Sequence, residues 1–249
     1  MRVSFIVPVY NEVNTIEKVL NNLIKLDIPK IEKEIVIVED NSNDGTRKKV
    51  INFCLDNNQC KLVLRKSPEG KGSAVRCGFK KATGDVLAIQ DADSEYYTED
   101  YARLVKPFLT GEAKFVLGSR FMHGNGDLRS FTKDLKIWDK LFLFIALSIE
   151  KMLNRLFNVL YGTKISDHST MYKLFTRDVY EKVNFSGKFF EIDWEIMAKL
   201  VRLGYLPLEI PVKYNPRSLS GGKKTRLRRD LWRCLYMIIS CRFLPLSKF

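Results

Sequence analysis

The stretch LAIQDADSEYYTED, from Leu87 to Asp100, begins as an apolar strand and ends in a cluster of acidic side chains. Such a cluster is unexpected in a chain whose formal net charge is +13. Asp91 and Asp93 are two residues apart, so on an extended backbone their carboxylates point the same way. Like charges held that close are unfavourable unless a cation lies between them. The pair therefore predicts a site for Mg²⁺ or Mn²⁺, which prefer oxygen ligands.

Glu95 lies two residues further on and is predicted to provide a third oxygen ligand. The alternative is that these acids only open a helix near residues 98–100, because negative charge stabilises a helix N-terminus. That explanation accounts for the two acids at the helix start. It does not account for Asp91 and Asp93 directly after a strand, so we favour the cation site.

The sequence on both sides of this stretch alternates apolar runs with amphipathic patterns. Strand-like runs begin at Arg2, Glu34, Lys61, Asp85 and Lys114. Between the first two runs, apolar residues recur with the 3.6-residue spacing of a helix from about Thr15 to Leu26. The repeated β-α-β order predicts an α/β fold with a Rossmann-like, mainly parallel central sheet covered by helices on both faces.

In open parallel sheets, ligands bind outside the carboxyl ends of the strands. Glu12 follows the first predicted strand and Asp40 the second, so we expect both to lie near Asp91 and Asp93. A metal between carboxylates and phosphates indicates a nucleotide-linked substrate, and Lys71 in EGKGSA is a candidate contact for its anions. The sequence has no P-loop and no G-x-G-x-x-G after the first strand, which disfavours a kinase or a dinucleotide oxidoreductase.

After Arg120 the pattern changes. Residues 121–135 are rich in glycine and charge and predict a loop, and residues 136–160 predict one or two helices rich in Phe and Leu. Pro211, inside the last predicted strand, LPLEIPVKY, indicates an edge position in the sheet. No boundary is strong enough to separate two domains, so we predict a single domain over residues 1–249.

Composition excludes several classes of protein. With 29% charged and 45% hydrophobic residues, the chain is an ordinary globular sequence. The five cysteines form no close C-x-x-C pair, which indicates reduced packing residues and not disulfides or zinc ligands. The N-terminus lacks the apolar run of a signal peptide, and no stretch reaches the roughly 20 apolar residues of a spanning helix. We therefore expect a cytoplasmic protein that is not secreted.

Positive charge concentrates between Arg217 and Phe249, where Asp230 is the single acid. A basic surface beside apolar residues suits anionic lipid, phosphate or nucleic acid, and a solvated helix face is the simpler alternative. Residues 136–160 and 231–249 resemble amphipathic helices at a membrane interface. The other possibility is that both are helices facing the core. A nucleic-acid-binding module stays an alternative, but it gives the paired aspartates no role, and the tail lacks interleaved aromatic residues.

Eight short motifs follow one another along nearly the whole chain. They are VPVYNE from Val7, VEDNSNDGT from Val38, GKGSAVRCGFKKATGD from Gly70, DAD from Asp91, GSR from Gly118, SDHSTMYKLF from Ser166, FFEIDWEI from Phe189 and LEIPVKYNPRSLSGGKK from Leu208. In this order they resemble family 2 glycosyltransferases of the GT-A fold, on the branch of dolichol-phosphate mannose synthase and polyprenyl-phosphate glucosyltransferases. Asn41 and Met171 depart from this pattern, because both replace glycines common in the family. We therefore expect another backbone conformation at Asn41, and Met171 leaves the acceptor open.

The resemblance implies an inverting, metal-dependent transfer of a hexose from a nucleotide-diphosphate sugar. It implies a nucleotide-sugar-binding half at 1–120, an acceptor-side half at 121–215 and a basic amphipathic tail at 216–249. By motif position, it implies that the nucleoside is lined by Pro8, Tyr10 and Glu12 and that its base is bound by Asp40. It implies that the metal is held by Asp91, Asp93 and Glu95. It also implies that the phosphates are contacted by Lys71, Arg120, Arg217 and Lys223, and that the reacting sugar lies near Asp167, Asp193 and Glu195.

The acceptor decides whether a base is needed. A polyprenyl phosphate, the acceptor the resemblance favours, is already anionic, and it implies peripheral contact with an anionic membrane on its cytosolic face. A hydroxyl of a soluble glycan or protein would instead need a carboxylate to remove its proton, with Asp193 or Glu195 as candidates. A nucleotidyltransferase uses similar metal chemistry, but it would release pyrophosphate and not a nucleoside diphosphate.

Overall fold

The structure, a computed structural model, describes residues 1–122, 137–217 and 227–245. Its strands are β1 (Arg2–Val9), β2 (Glu32–Glu39), β3 (Cys60–Leu64), β4 (Val86–Ile89), β5 (Phe115–Ser119), β6 (Lys173–Thr176) and β7 (Leu208–Pro211). Its helices are α1 (Ile16–Lys25), α2 (Thr46–Leu55), α3 (Lys71–Lys81), α4 (Tyr101–Thr110), α5 (Ile137–Tyr161), α6 (Arg177–Tyr180), α7 (Ile192–Arg202) and α8 (Leu227–Phe243). A 3₁₀ turn, Thr98–Asp100, precedes α4.

The strands form one sheet in the order β3-β2-β1-β4-β6-β5-β7. Every pairing is parallel except those of β6, which runs antiparallel to both β4 and β5. The predicted α/β fold with a mainly parallel sheet is therefore confirmed. Pro211 lies on β7 at the end of the sheet, which confirms its predicted edge position.

The strands at the centre of the sheet are continuous apolar runs because both of their faces are covered. The side chains of β4 are all buried, and in β1 only the first residue is partly exposed. Helix α3 packs closely on this sheet at Gly78, where a Cβ atom would lie 2.4 Å from Cγ2 of Ile6. A larger residue at Gly78 would thus push α3 away from β1.

Several loops at the carboxyl ends of the strands turn through left-handed residues. Asn11 follows β1 with φ 49°, Asn41 follows β2 with φ 61°, and Ser94 follows β4 with φ 60°. Asparagine tolerates this region better than most residues. The expectation of another backbone conformation at Asn41 is therefore wrong, because asparagine keeps the left-handed conformation that glycine favours.

Strand β4 ends at Ile89, so Asp91 and Asp93 lie in a turn and not on the extended backbone that the sequence predicted. The left-handed Ser94 separates them from Glu95, so the two-residue alternation of an extended strand does not extend to Glu95.

The C-terminal part of the chain adds two long helices. Residues 137–161 form the single helix α5, and α8 packs against both α5 and α7. Tyr161 donates a hydrogen bond to the carbonyl of Ile238 at 2.8 Å, and Arg242 donates one to the carbonyl of Leu160 at 2.8 Å. Neither helix, nor any other in the described parts of the chain, is long and apolar enough to cross a bilayer. The five cysteines are free thiols, as predicted.

Candidate active site

A cavity of about 820 Å³ opens at the carboxyl edge of the sheet. Its charged lining residues include Glu12, Asp40, Lys71, Asp91, Asp93, Glu95 and Arg217. Its apolar lining residues, which we call the apolar wall, include Ala146, Ile149, Leu153, Met171, Phe189, Phe190, Trp194, Leu231 and Cys234, and helices α5, α7 and α8 also contribute the charged Glu150, Asp193, Arg229 and Asp230. The structure therefore brings most of the predicted donor-side residues together in a cavity that also has a large apolar surface.

Lys71 holds the first aspartate. Its ammonium lies 2.9 Å from Oδ1 of Asp91 and 5.2 Å from the ring centroid of Phe190. The preceding Gly70 has φ 95°, and a Cβ atom there would lie 2.6 Å from the carbonyl oxygen of Lys188. A glycine is therefore required where the chain enters α3, and this close approach fixes Lys71 beside the cavity.

Arg217 holds the second aspartate and two glutamates. Its guanidinium lies 2.9 Å from Oε2 of Glu12, 3.2 Å from Oδ2 of Asp93 and 3.5 Å from Oε1 of Glu95. Burial, with Asp91 and Glu95 nearby, raises the pKa of Asp93 to about 7, although Arg217 opposes this. The cluster thus keeps an excess of negative charge that a further cation would relieve.

The carboxylates fit a divalent cation only in part. Asp91 and Asp93 offer hard oxygen donors to the cavity, as Mg²⁺ and Mn²⁺ require. Glu95 instead accepts hydrogen bonds from the hydroxyl of Tyr214 and, at 2.9 Å, from the backbone N–H of Arg217. Within residues 1–122, 137–217 and 227–245, no group of three Asp, Glu, His or Cys side chains is placed to hold a metal. Asp91 and Asp93 therefore remain the candidate ligands, and the predicted third ligand is bound to other partners.

Pro8, Tyr10 and Asp40, which are predicted to bind the nucleoside, also line the cavity. The Asp40 carboxylate accepts hydrogen bonds from the backbone N–H of Gly70 at 2.9 Å and of Glu69 at 3.1 Å. Asp40 thereby ties the end of β2 to the loop that presents Lys71. A base bound by Asp40 would share this carboxylate with those two donors.

Only one of the two acids predicted near the sugar on α7 reaches the cavity. Asp193 lines it, whereas Glu195 is fully buried elsewhere. The Glu195 carboxylate lies 2.6 Å from Nζ of Lys199 and accepts a hydrogen bond from the backbone N–H of Gly187 at 2.7 Å. Glu195 therefore has buried structural partners, and Asp193 is the candidate that can contact a ligand.

Asp167 also lies beneath the cavity wall and is fully buried. Its carboxylate binds Arg120 through Nε at 2.8 Å and through Nη2 at 2.7 Å. Burial opposes ionisation of Asp167, but Arg120 outweighs it and lowers the pKa of this carboxyl. Because Arg120 also pairs with Glu150 of α5, this predicted phosphate contact joins β5 to α5.

Sequence reasoning missed several residues at the cavity. The ring of Tyr214 lies 5.1 Å from the Arg120 guanidinium, and the ring of Phe189 lies 4.0 Å from that of Arg233. Lys173 does not line the cavity itself but is fully buried behind it, with its ammonium 3.5 Å from Oδ1 of the lining residue Asp193. The motifs EIPVKY, FFEIDW and TMYKLF contained these residues, but nothing in their spacing separated them from core positions. Lys223, a predicted phosphate contact, lies outside the described residues.

Comparison with known proteins identifies related chains. Polyprenol monophosphomannose synthase of Mycolicibacterium smegmatis is 28% identical over 231 residues, 89% of this chain and 80% of that protein. Dolichol-phosphate mannosyltransferase of Pyrococcus furiosus is 33% identical over 124 residues, 50% of this chain. That match spans only 34% of the archaeal protein's length.

Among solved structures, glucosyl-3-phosphoglycerate synthase of Mycobacterium tuberculosis, in complex with Mn²⁺, UDP-glucose and phosphoglyceric acid, has a similar fold. The TM-score is 0.70 at 17% identity, over 98% of this chain and 80% of that one. The likeness supports the GT-A fold. The family model for glycosyl transferase family 2 matches residues 4–183, well over half of the sequence. This chain therefore belongs to glycosyl transferase family 2 and is a glycosyltransferase.

Proposed function

We propose that this protein transfers a hexose, with inversion and with the help of Mn²⁺ or Mg²⁺, from a nucleotide-diphosphate sugar to a polyprenyl phosphate at a membrane surface. The observation that carries this proposal is the cavity, because one continuous space is lined both by charged residues from the edge of the sheet and by apolar residues of α5, α7 and α8. A donor diphosphate suits the charged residues and a prenyl chain suits the apolar ones. The names of the two sequence relatives, both transferases for prenol-type lipids, support the same acceptor class.

On the donor side, Asp91 and Asp93 would hold the cation, which would stabilise charge developing on the leaving diphosphate. Lys71 and Arg217 add fixed positive charge at the same place. Fixed charges of this kind stabilise a transition state without reorganising during the reaction. In this proposal the first half of a single domain, residues 1–120, binds the nucleotide sugar.

On the acceptor side, the apolar wall comes from α5 and α8, through Ile149 and Leu153 of α5 and Leu231 of α8. An acceptor phosphate oxygen would attack the anomeric carbon as the bond from that carbon to the nucleoside diphosphate breaks. Attack from the opposite face inverts the configuration. Because a phosphate acceptor is already anionic at neutral pH, this step needs no general base.

The outer faces of the same two helices are also apolar. On α8, Trp232, Tyr236, Ile239 and Phe243 are exposed and lie along one helical face. On α5, the exposed apolar residues are Leu141, Phe144, Ile145, Met152 and Val159. Exposed basic residues accompany them, namely Lys140, Lys151, Arg155, Arg229 and Arg242. An apolar face among basic residues suits an anionic bilayer, which attracts each nearby basic residue by roughly 1 kcal/mol.

Replacing the apolar face of α8 should release the protein from membranes. In co-sedimentation with vesicles of phosphatidylglycerol and phosphatidylcholine, we expect the wild type to bind and the Trp232→Ser/Tyr236→Ser/Phe243→Ser variant to bind at least 10-fold more weakly, since burial of each ring stabilises the bound state. Leu55→Ser, which changes an exposed leucine on α2, is the matched control and should bind like the wild type. Equal binding by the triple variant would exclude α8 as the membrane contact.

The test of the whole proposal is a panel of nucleotide sugars with Mn²⁺ or Mg²⁺, assayed for release of nucleoside diphosphate. We expect one donor to be consumed only when a short-chain prenyl phosphate is present, with a product that partitions into organic solvent. Transfer exclusively to a water-soluble glycan would reject the lipid acceptor. Release of pyrophosphate would indicate a nucleotidyltransferase.

A further inference from the structure

Lys173 is a charged residue in an unusual place. It begins β6, which runs antiparallel to its neighbours β4 and β5, and its side chain has no exposed surface. Its ammonium donates a hydrogen bond to the carbonyl of Thr170 and lies 3.5 Å from Oδ1 of Asp193. A buried ammonium is unfavourable unless it is paired, and an apolar residue would fill the same core position at less cost. Burial lowers the pKa of Lys173, and the carboxylates of Asp193 and Asp167 oppose this fall, so the charge of the lysine depends on these acids.

Asp193 is the ion-pair partner of Lys173. Within the described residues, it is the carboxylate with which Lys173 forms an ion pair, and its Oδ1 is buried with no closer hydrogen-bond donor. Burial raises the pKa of Asp193, while Lys173 and Lys71 both oppose this rise. Lys71 is already bound to Asp91 at 2.9 Å. Lys173 is therefore the cation best placed to keep Asp193 ionised.

Asp193 shares its cavity with the residues proposed to bind the donor diphosphate. It lines the same cavity as Asp91 and Lys71, and Trp194 beside it lines the cavity as well. A sugar attached to a diphosphate at Asp91 would thus present its hydroxyl groups towards Asp193. An ionised carboxylate accepts hydrogen bonds from hydroxyl groups through both oxygens, whereas a protonated one gives up part of that capacity.

We infer that Lys173 is a positioning residue for the transfer reaction, which holds Asp193 as an oriented carboxylate that binds the hydroxyl groups of the donor sugar. Lys173 cannot touch the substrate itself, because it is fully buried. The inference rests on the proposed function, since it takes the ligand beside Asp193 to be the sugar of the donor.

The test is a double-mutant cycle of Lys173→Met, Asp193→Asn and the pair, assayed for kcat/KM and for binding of nucleotide sugar and of free nucleoside diphosphate. Lys173→Met should lower kcat/KM by about 10- to 100-fold, as loss of a supporting partner does at other sites. In the Asp193→Asn background the same change should cost less than about 2-fold, because both act through one carboxylate. Affinity for the sugar-free diphosphate should stay within about 2-fold, since that ligand does not reach Asp193.

Lys199→Met is the matched control. Lys199 is an equally buried lysine, paired with Glu195 at 2.6 Å outside the cavity. Its replacement should lower the free energy of unfolding. It should either leave the affinities for nucleotide sugar and for nucleoside diphosphate unchanged or lower both by the same factor. Should Lys173→Met fail to fold, Lys173→Gln, which keeps a hydrogen-bond donor without the charge, takes its place in the cycle.

The inference would be overturned if the losses in kcat/KM were additive, or if Lys173→Met lowered the affinities for nucleotide sugar and nucleoside diphosphate equally. Lys173 would then be a purely structural residue. A wild type that consumes no nucleotide sugar would instead reject the proposed function, and the inference with it. The two failures are distinguishable, because the first occurs in an active enzyme.

Discussion

Asp93→Asn should reduce release of nucleoside diphosphate by about 10³-fold or more, because it removes one of the two carboxylates that face the cavity as candidate metal ligands. The substitution keeps the shape of the side chain and can still accept a hydrogen bond from Arg217, which lies 3.2 Å from Oδ2. What it removes is the negative charge that a divalent cation requires. Steady-state kinetics with saturating Mn²⁺ measures the loss, and titration of Mn²⁺ by electron paramagnetic resonance should show weaker binding in parallel.

Glu99→Gln is the control for this prediction, because Glu99 belongs to the same acidic stretch but is exposed on the 3₁₀ turn before α4. It should retain wild-type activity and Mn²⁺ affinity. A chelator should abolish the activity of the wild type and of Glu99→Gln equally. If Asp93→Asn stays active, or if activity survives chelation, the two aspartates hold no catalytic metal.

The parts of the fold that the sequence predicted are those set by local periodicity. Short, mostly apolar runs such as RVSFIVPV are typical of strands covered on both faces, and parallel strands bring their carboxyl ends to one edge. That rule suffices to place Glu12, Asp40 and Asp91 around one cavity. It needs no knowledge of how the second half of the chain folds.

Prediction failed where it depended on backbone direction over two or three residues. The sequence motif assigns Asp193 and Glu195 to the same role, but residues two apart on a helix face different sides. Asp193 therefore reaches the cavity and Glu195 faces Lys199. Glu95 does line the cavity, but Tyr214 and Arg217 bind its carboxylate there.

Contacts between residues that are far apart in the chain are equally hard to predict from the sequence. Arg120 follows β5, Glu150 is on α5 and Asp167 lies in the loop before β6, yet one guanidinium binds both carboxylates. The sequence offers each of these residues many possible partners of opposite charge, so charge alone does not predict which of them form ion pairs. Only the folded position of α5, which packs against α7 and α8, brings Glu150 to Arg120 and Asp167 and sets this part of the cavity lining.

Arg217→Gln should lower kcat/KM by about 10²-fold, and it should also make the stability of the protein depend on metal. Arg217 is the shared partner of Glu12, Asp93 and Glu95, so its removal leaves three carboxylates without their common cation. In the presence of a chelator we expect the free energy of unfolding to fall by about 1–3 kcal/mol, less than for a fully buried pair because the Arg217 side chain is partly exposed. Urea denaturation with and without a chelator measures this loss.

Mn²⁺ should restore much of that stability, because an ion that binds the folded state alone stabilises it in proportion to its affinity and concentration. The same ion should stabilise the wild type less, since Arg217 already offsets part of the negative charge. Arg217→Lys, which keeps one positive charge but cannot bridge three carboxylates, should lie between the two. Arg2→Gln is the matched control: it breaks an exposed ion pair with Glu32 and should leave both activity and the response to Mn²⁺ unchanged. A variant Arg217→Gln that is as stable as the wild type, with the same response to Mn²⁺, would show that the carboxylate cluster does not need this arginine and that the excess charge is balanced in another way.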